Sequence, residues 1–440
     1  MRDKRFSDGL RAALTILIPT LLVASSWAAP HEKVLYSFKD NGIDGTIDGK
    51  YPAAGLIFDA SGNLYGTTAF GGCSDPFGCG TVFELTPTVG GKWQELVLHR
   101  FDESDGFLPR AGLIFDASGN LYGTTFTGGG DSDAGTVFEL TPTASGEWGE
   151  KVLHGFNLYT DGFYPSAGLI FDTSGNLCGT TWEGGPSNGL GTVFELTPKA
   201  GGDWTEKILH TFTNKGNDGY QPEAALTFDA SGNFYGTTNA GGSISSECRF
   251  GCGTVFELTP KAGGGWTEKV VHRFNSNGKD GYQSYASLIL DASGNLYGTT
   301  EYGGSGSCND GYGIGCGSVF ELTPKAGGGW AEKILHNFNG KDGAYPIAGL
   351  IFDAFGNLYG TTSSGGGISS ECKFGCGTVF ELTPKASGGW TEKVLHSFNP
   401  DGKEGAFPEA GLIFDASGNL YGTTYGGGAY GYGTVFEITP

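Results

Sequence analysis

The amino-acid sequence predicts an all-β chain folded as a seven-bladed β-propeller of four-stranded blades, and three observations predict it. One motif, GLIFDASGNLYGTT or a close variant, begins at positions 55, 112, 168, 225, 287, 349 and 411. The composition, with 81 Gly, 31 Phe and 19 Tyr against a single Met, suits short aromatic strands joined by tight turns and suits helices badly. Finally, one strand motif stands at the start of the chain although its place in the repeat is at the end.

Each copy reads as four strands. Strand A is Leu-Ile-Phe-Asp and strand B is Asn-Leu-Tyr-Gly-Thr-Thr, joined by the hairpin turn Asp-Ala-Ser-Gly-Asn. In that turn the Gly supplies positive φ and the Asp accepts turn amides. Strand C, Thr-Val-Phe-Glu-Leu-Thr-Pro, follows Gly80, Gly135, Gly191, Gly253, Gly317 (with Ser for Thr), Gly377 and Gly433. Its proline stops the ladder. Strand D, Lys-Val-Leu-His-x-Phe in its commonest form, ends at Phe101, Phe156, Phe212, Phe274, Phe338 and Phe398. The seventh D strand is residues 32–38, at the other end of the chain, so pairing it with residues 434–439 completes the last blade. A ring sealed by both ends leaves only short, protected edges. A linear solenoid is disfavoured because it needs capping units, which the repeats lack.

The pair Asp-x-x-Gly-Asn-Leu-Tyr-Gly-Thr-Thr and Gly-Thr-Val-Phe-Glu-Leu-Thr-Pro resembles the GloVer (Gloeo_Verruco) extracellular tandem repeat family across residues 32–440, most specifically at residues 431–436. The resemblance implies an exported bacterial repeat protein. Members often carry a C-terminal surface anchor; the present sequence stops at Pro440 without a sorting tail, so a released, soluble protein is expected. The Asp-x-x-Gly-Asn-Leu-Tyr hairpin also looks, more loosely, like the inner hairpin of NHL and gluconolactonase-type propellers.

Residues 1–28 read as a signal peptide. Arg2, Lys4, Arg5 and Arg11 precede an apolar run over 12–24, and Ser26-Trp27-Ala28 offers a small-x-small cleavage site. That run is too short and wrongly flanked for a stable membrane span. Residues 29–440 form the single propeller domain, expected outside the cell or in the periplasm and as a monomer. The formal net charge is −21; removal of the signal's four basic and two acidic residues leaves −23. Such a surface repels phosphate backbones and excludes nucleic acid as a partner.

Strand direction alternates, so the B–C and D–A loops open on one face of the disc. The other face is monotonous. The B–C loops vary, running 11, 9, 9, 14, 16, 14 and 8 residues, and variable loops on a fixed scaffold are where binding resides. Eight of nine cysteines lie there, and in an exported chain they read as four within-loop disulfides. The expected pairs are Cys73 with Cys79, Cys248 with Cys252, Cys308 with Cys316, and Cys372 with Cys376. Such short bridges are expected to pre-order their own loops rather than to staple the domain. Cys178 replaces the strand-B tyrosine and reads as a buried free thiol. The same face is rich in aromatics: Tyr51, Tyr164, Tyr345 and Phe407 precede prolines in the D–A loops, and Leu108, Gln221 and Gln283 break that rule. These are expected to wedge between blades. Candidate ligand-binding residues are Trp182, Glu183, Glu301, Tyr302, Asp310, Tyr425 and Tyr430, aromatics and carboxylates suited to stacking on and hydrogen-bonding sugar rings.

Six histidines recur in strand D: His99, His154, His210, His272, His336 and His396. On an outermost strand they are expected to pack and hydrogen-bond between blades. The aspartates closing strand A, from Asp59 to Asp415, are expected to cap turns; calcium is a weaker reading because each loop provides too few oxygens. No nucleophile elbow, zincin helix, phosphate loop or dinucleotide fingerprint appears. Departures from the repeat (loop lengths, Cys178, Phe355, Tyr282-Gln283-Ser284) are expected to assemble no catalytic set. The expectation is therefore a secreted, non-catalytic protein without cofactor that binds a polysaccharide or protein through the B–C/D–A face. The alternative is an extracellular lactonase-like hydrolase or lyase with a divalent cation at the axis.

Overall fold

The computed structural model describes residues 30–39, 48–73, 79–129, 132–187, 189–215, 218–306, 308, 315–368, 372–399 and 403–440. The expected signal peptide and Asp310 lie outside the described residues. All regular structure in the described residues is β-strand: seven four-stranded antiparallel sheets arranged in a ring, with four two-stranded ribbons in the loops. In blade 1, strand A is Ile57–Phe58, B is Leu64–Thr68, C is Thr81–Pro87 and D is Trp93–Arg100. Blades 2 to 6 repeat this order. Blade 7 takes strands Ile413–Phe414, Leu420–Thr424 and Thr434–Thr439 from one end of the chain and His31–Ser37 from the other. The closing pair runs in register from His31↔Thr439 to Ser37↔Thr434. Each C–D pair also carries a bulge just after the valine of strand C, between Val82 and Phe83 in blade 1, a feature no sequence pattern announces.

The blades adhere through residues the motif repeats. The phenylalanine ending each D strand meets the strand-C phenylalanine of the next blade edge-to-face, seven times, with centroids 4.9–5.2 Å apart. Each such pair adds about 1 kcal/mol beyond its buried area. The strand-C ring needs space, and the glycine of Leu-Tyr-Gly-Thr-Thr provides it: a Cβ at Gly66 would stand 2.7 Å from Phe83 Cζ. The first Thr of Thr-Thr donates its hydroxyl to the alanine carbonyl of the following blade, from Thr67 to Ala111 at 3.1 Å onward. The seventh of these bonds, Thr423 to Ala54 at 3.0 Å, closes the ring. The hydroxyl of the second Thr hydrogen-bonds to that of the first residue of strand C, as in Thr68 Oγ1···Thr81 Oγ1 at 2.7 Å.

The A–B turns form as expected. Asp59 Oδ1 accepts the backbone N–H of Ser61 and Asn63, both at 2.8 Å, and Oδ2 accepts Asn63 Nδ2 at 2.9 Å. The same bonds recur to Asp415. The strand-D histidines face the following D–A loop: His99 Nε2 lies 2.9 Å from Asp105 Oδ2, and the His99 ring abuts Phe101 at the end of its own strand.

The four expected disulfides are formed: Cys73 with Cys79, Cys248 with Cys252, Cys308 with Cys316, and Cys372 with Cys376. One cysteine of each pair also occupies a position on the seam between blades, which Ala134, Leu190 and Tyr432 occupy in the three blades without a disulfide. The second cysteine of each pair, Cys79, Cys252, Cys316 or Cys376, is buried and is followed directly by the glycine that leads into strand C. Its carbonyl accepts a backbone N–H from the D–A loop of the next blade, that of Leu108, Gln283, Tyr345 or Phe407, at 2.8–3.1 Å. Sequence spacing shows which cysteines can pair, but not that one member of each pair stands on a seam between blades. Cys178 is a fully buried free cysteine. Burial, with Asp172 and Glu195 nearby, raises the pKa of its thiol.

Two outcomes follow. A chain beginning at Lys39 loses the D strand of blade 7 and uncovers the Phe83 side of the core, so its melting temperature should fall by about 10 °C or more, read by circular dichroism. Thiol titration without reductant should find no reactive thiol in the native protein and one after denaturation, because Cys178 is buried and the other eight cysteines are paired.

Candidate functional site at the axial mouth

Each D–A loop is clamped between two blades. Its residue before the proline (Ser284 replaces proline in blade 5) has φ between 57° and 62° in all seven copies: Tyr51, Leu108, Tyr164, Gln221, Gln283, Tyr345 and Phe407. Bulky side chains rarely adopt that left-handed conformation, which costs roughly 1–3 kcal/mol. Two backbone hydrogen bonds hold it. Tyr51 N–H donates to Tyr432 O of blade 7 at 2.8 Å, and Ala69 N–H of its own B–C loop donates to Tyr51 O at 3.1 Å; the other six loops repeat both. The proline that follows packs on the glycine before strand C of the preceding blade. A Cβ at Gly80, where φ is +94°, would stand 2.3 Å from Pro109 Cδ. The D–A loop also pairs with the B–C loop of its own blade, as Gly49–Lys50 does with Phe70–Gly71, which confirms that both loops share one face.

This clamp delivers one residue per blade to the mouth of the central channel. It is the residue after the proline position: Ala53, Arg110, Ser166, Glu223, Tyr285, Ile347 and Glu409. Two residues further on, the chains come together at the axis, where a Cβ at Gly55 would lie 3.5 Å from the carbonyl of Gly411 and one at Gly112 lies 3.6 Å from that of Gly55. The residue after Thr-Thr joins them: Ala69, Phe126, Trp182, Asn239, Glu301, Ser363 and Tyr425. Side chains of non-neighbouring blades interact here, which is possible only across the axis. Arg110 of blade 2 acts on Glu223 of blade 4 and on Glu409 and Tyr425 of blade 7, and Glu301 of blade 5 feels both glutamates.

Arg110, Phe126, Ser166, Trp182, Glu223 and Tyr285 line a pocket of ≈ 250 Å³ at this mouth. The Arg110 guanidinium lies over Phe126 at 4.6 Å. Phe126 stacks on Tyr164 at 4.6 Å, and Trp182 lies nearly parallel to Tyr164 at 6.2 Å. Glu223 accepts Asn239 Nδ2 at 2.9 Å, and Asn239 Oδ1 accepts Gln283 Nε2 at 3.3 Å. Trp182 Nε1 and Ser166 Oγ are buried atoms without a hydrogen-bond partner among the described residues. Such atoms are normally satisfied, so they mark where an incoming polar group gains most. Burial holds the carboxyls of Glu301 and Glu409 up at about 7; a hydrogen bond from Tyr302 opposes the shift at Glu301 and the charge of Arg110 opposes it at Glu409. Burial also raises the carboxyl of Glu223.

The residues singled out from sequence distribute unevenly. Trp182 and Glu301 stand at the mouth, and Tyr425 joins them there, stacked on Tyr51 at 4.9 Å. Tyr302 lies one step outward between Tyr282 and Tyr345, at 5.6 and 5.5 Å. Glu183 accepts Gln221 Nε2 of the next blade at 3.0 Å. Tyr430 is 58% exposed and acts on Tyr36 of the outer strand, not on the axial group. The D–A aromatics do wedge between blades, as Tyr51–Tyr425 and Tyr164–Phe126 show. Four residues at the mouth were not among those singled out from sequence. Arg110, Glu223, Tyr285 and Glu409 converge at the axis, and their signal in the sequence was a single position holding six residue types in seven otherwise repeated motifs.

The sequence model of the Gloeobacter/Verrucomicrobia repeat matches residues 26–188, 149–314 and 305–440. No curated protein matches in sequence. Among solved structures, the periplasmic gluconolactonase PpgL of Pseudomonas aeruginosa is similar at a TM-score of 0.50 and 14% identity, over 79% of this chain and 85% of its own. A luciferin-regenerating enzyme is similar at a TM-score of 0.41 and 13% identity, over 94% of this chain and 96% of its own. At 14% identity the likeness to the gluconolactonase is one of fold.

The axial carboxyls set a pH dependence. Glu301 and Glu409 hold protons to about 7 in the folded protein against 4.5 for the ordinary carboxyl. The folded state therefore binds more protons between those values, and the stability this confers is complete below 4.5 and lost as pH rises through 7. The melting temperature should be higher at pH 5 than at pH 8 by about 2–5 °C, and the double variant Glu301→Gln/Glu409→Gln should reduce that slope, the remainder coming from glutamates at the outer junctions that burial also raises.

Proposed function

We propose that this chain, which belongs to the Gloeobacter/Verrucomicrobia repeat family, is an exported binding protein that holds a sugar residue of a polysaccharide in its axial mouth. The observation that carries this reading is the convergence, from five blades, of an aromatic stack, a guanidinium, carboxyls and two unpartnered polar atoms. A pyranose has an apolar face and a rim of hydroxyls that donate and accept. Trp182 offers the face a platform. Glu223 accepts from hydroxyls, Arg110 and Trp182 Nε1 donate to them, and Ser166 Oγ does either. With carboxyls that burial keeps largely protonated up to about 7 beside one guanidinium, the mouth suits neutral sugars, and amine-bearing sugars gain as those carboxyls ionise above that pH. The four loop disulfides support an oxidising compartment, outside the cell or in the periplasm.

A second reading has a specific observation behind it. Carboxyls held near 7 are suited to proton transfer at neutral pH, and Glu301 and Glu409 are such groups. This supports a lactonase-like hydrolase or lyase. A divalent cation at the axis is less well supported, since no three His, Cys, Asp or Glu ligand atoms at the axis come within 4.8 Å of one another among the described residues.

Glycan-array screening followed by calorimetry separates the two. Binding should weaken by about tenfold or more in Trp182→Ala and in Glu223→Gln while the melting temperature holds. If every detected interaction survives both substitutions, the axial assignment is wrong. Turnover of a lactone panel that disappears in Glu301→Gln would establish the second reading instead.

A further inference from the structure

The outer junctions between blades carry another recurring group, unconnected with the axial mouth. It joins the strand-D histidine of one blade, the acid of the following D–A loop, and the glutamate of Trp-x-Glu in the next D strand. Between blades 4 and 5 these are His272, Asp280 and Glu332. His272 Nε2 lies 3.5 Å from Asp280 Oδ2 and 3.4 Å from Glu332 Oε1, and the two carboxyls lie within hydrogen-bonding range of each other. Ligand atoms at the corners of a tetrahedron with bonds of about 2.0–2.1 Å stand roughly 3.3–3.4 Å apart. The spacing is that of three donors around one ion.

Apart from two bonds from Asn275, the three groups have only one another as partners among the described residues. Asp280 is 4% exposed. Its Oδ2 accepts Asn275 N–H at 3.1 Å and Asn275 Nδ2 at 2.7 Å, but its Oδ1 has no partner among the described residues. Glu332 Oε1 and His272 Nε2 face each other at 3.4 Å and make no other hydrogen bond among the described residues. Without a cation, one proton shared between Asp280 and Glu332 relieves the repulsion of the two carboxyls; a metal ion would take the place of that proton. One divalent cation balances both charges and meets all three donors. A nitrogen with two carboxylates suits Zn²⁺ or a neighbouring first-row ion; Ca²⁺ prefers six to eight oxygens.

We propose that His272, Asp280 and Glu332 form a divalent transition-metal site, Zn²⁺ by preference, that ties blade 4 to blade 5. The next two junctions hold similar groups, His336–Asp342–Glu392 and His396–Glu404–Glu32. Their central acids are more exposed, at 14% and 32% against 4% for Asp280, so water competes there and they hold the ion less tightly. The junction between blades 7 and 1 is the natural contrast: Tyr36 replaces the histidine and donates its hydroxyl to Asp48 Oδ2 at 2.7 Å.

The test is calorimetric titration of untagged, EDTA-stripped protein with ZnCl₂, with metal content measured after dialysis. One tight ion per chain is expected, together with a rise in melting temperature. His272→Tyr copies the arrangement at Tyr36 and so retains the fold; it and the near-isosteric Glu332→Gln should each weaken the tight step by at least about tenfold. Trp182→Ala should leave it unchanged. Absence of stoichiometric Zn²⁺ binding, or a tight step that survives both junction variants, overturns the proposal and leaves a proton-sharing contact between the blades.

Discussion

The structure depends on one hydrogen bond made seven times: the first threonine of each Thr-Thr pair donating to the alanine carbonyl of the next blade. The donor and the acceptor are buried, so each bond fixes the distance between neighbouring inner strands without competition from water. The alanine sits one residue from the glycine ring at the axis and one residue from the variable position at the mouth. The radius at which Arg110 and Glu223 stand is therefore set by the bonds of Thr67 and Thr180, not by their own contacts. Seven repeats of one bond hold the aperture; the side chains in it are free to differ.

The fold was legible in the sequence because every blade restates the same strand periodicity, and because residues 32–38 carried a strand-D motif with no strand C before it. The disulfides and the aspartate turns were legible for a similar reason: their partners lie within eight residues of one another. The seam contacts of Cys79, Cys252, Cys316 and Cys376 were not, because each acceptor carbonyl meets a donor in another blade. Convergence at the axis is a different kind of information. Arg110 and Glu409 meet although nearly three hundred residues separate them, and no local pattern encodes a meeting arranged by ring closure. The left-handed backbone was hidden too. Tyr51 and Gln283 are poor indicators of positive φ, and they adopt it because hydrogen bonds to the adjoining loops impose it. Trp182 and Glu301 could be chosen from sequence because they break the repeat inside a varying loop. Tyr430 met the same criterion and lies at the rim, since loop membership gives the face and not the radius.

The molecule thus separates two kinds of chemistry by distance from the axis. At the outer junctions, acids and histidines recur with the repeat and bind blade to blade. At the mouth, single residues of different type face one another across the channel. A substitution in the first group alters one seam of a ring whose other seams persist. A substitution in the second alters a set with no duplicate, so chemical individuality resides there even though most of the chain is repetition.

The pairing of His31–Ser37 with Thr434–Thr439 has a consequence for the order of assembly. The first strand made must wait for the last before either blade edge is covered. At usual synthesis rates that interval is on the order of half a minute. Throughout it, the early strand is a hydrophobic edge with its proper mate not yet in existence, while six closely similar strand-C sequences appear before the correct one. Each of those is followed within fifteen residues by a D strand of its own, which reaches it sooner because the loop to be closed is short. Local hairpins therefore remove the wrong mates in succession, and kinetic precedence, not sequence discrimination, reserves the first strand for the last.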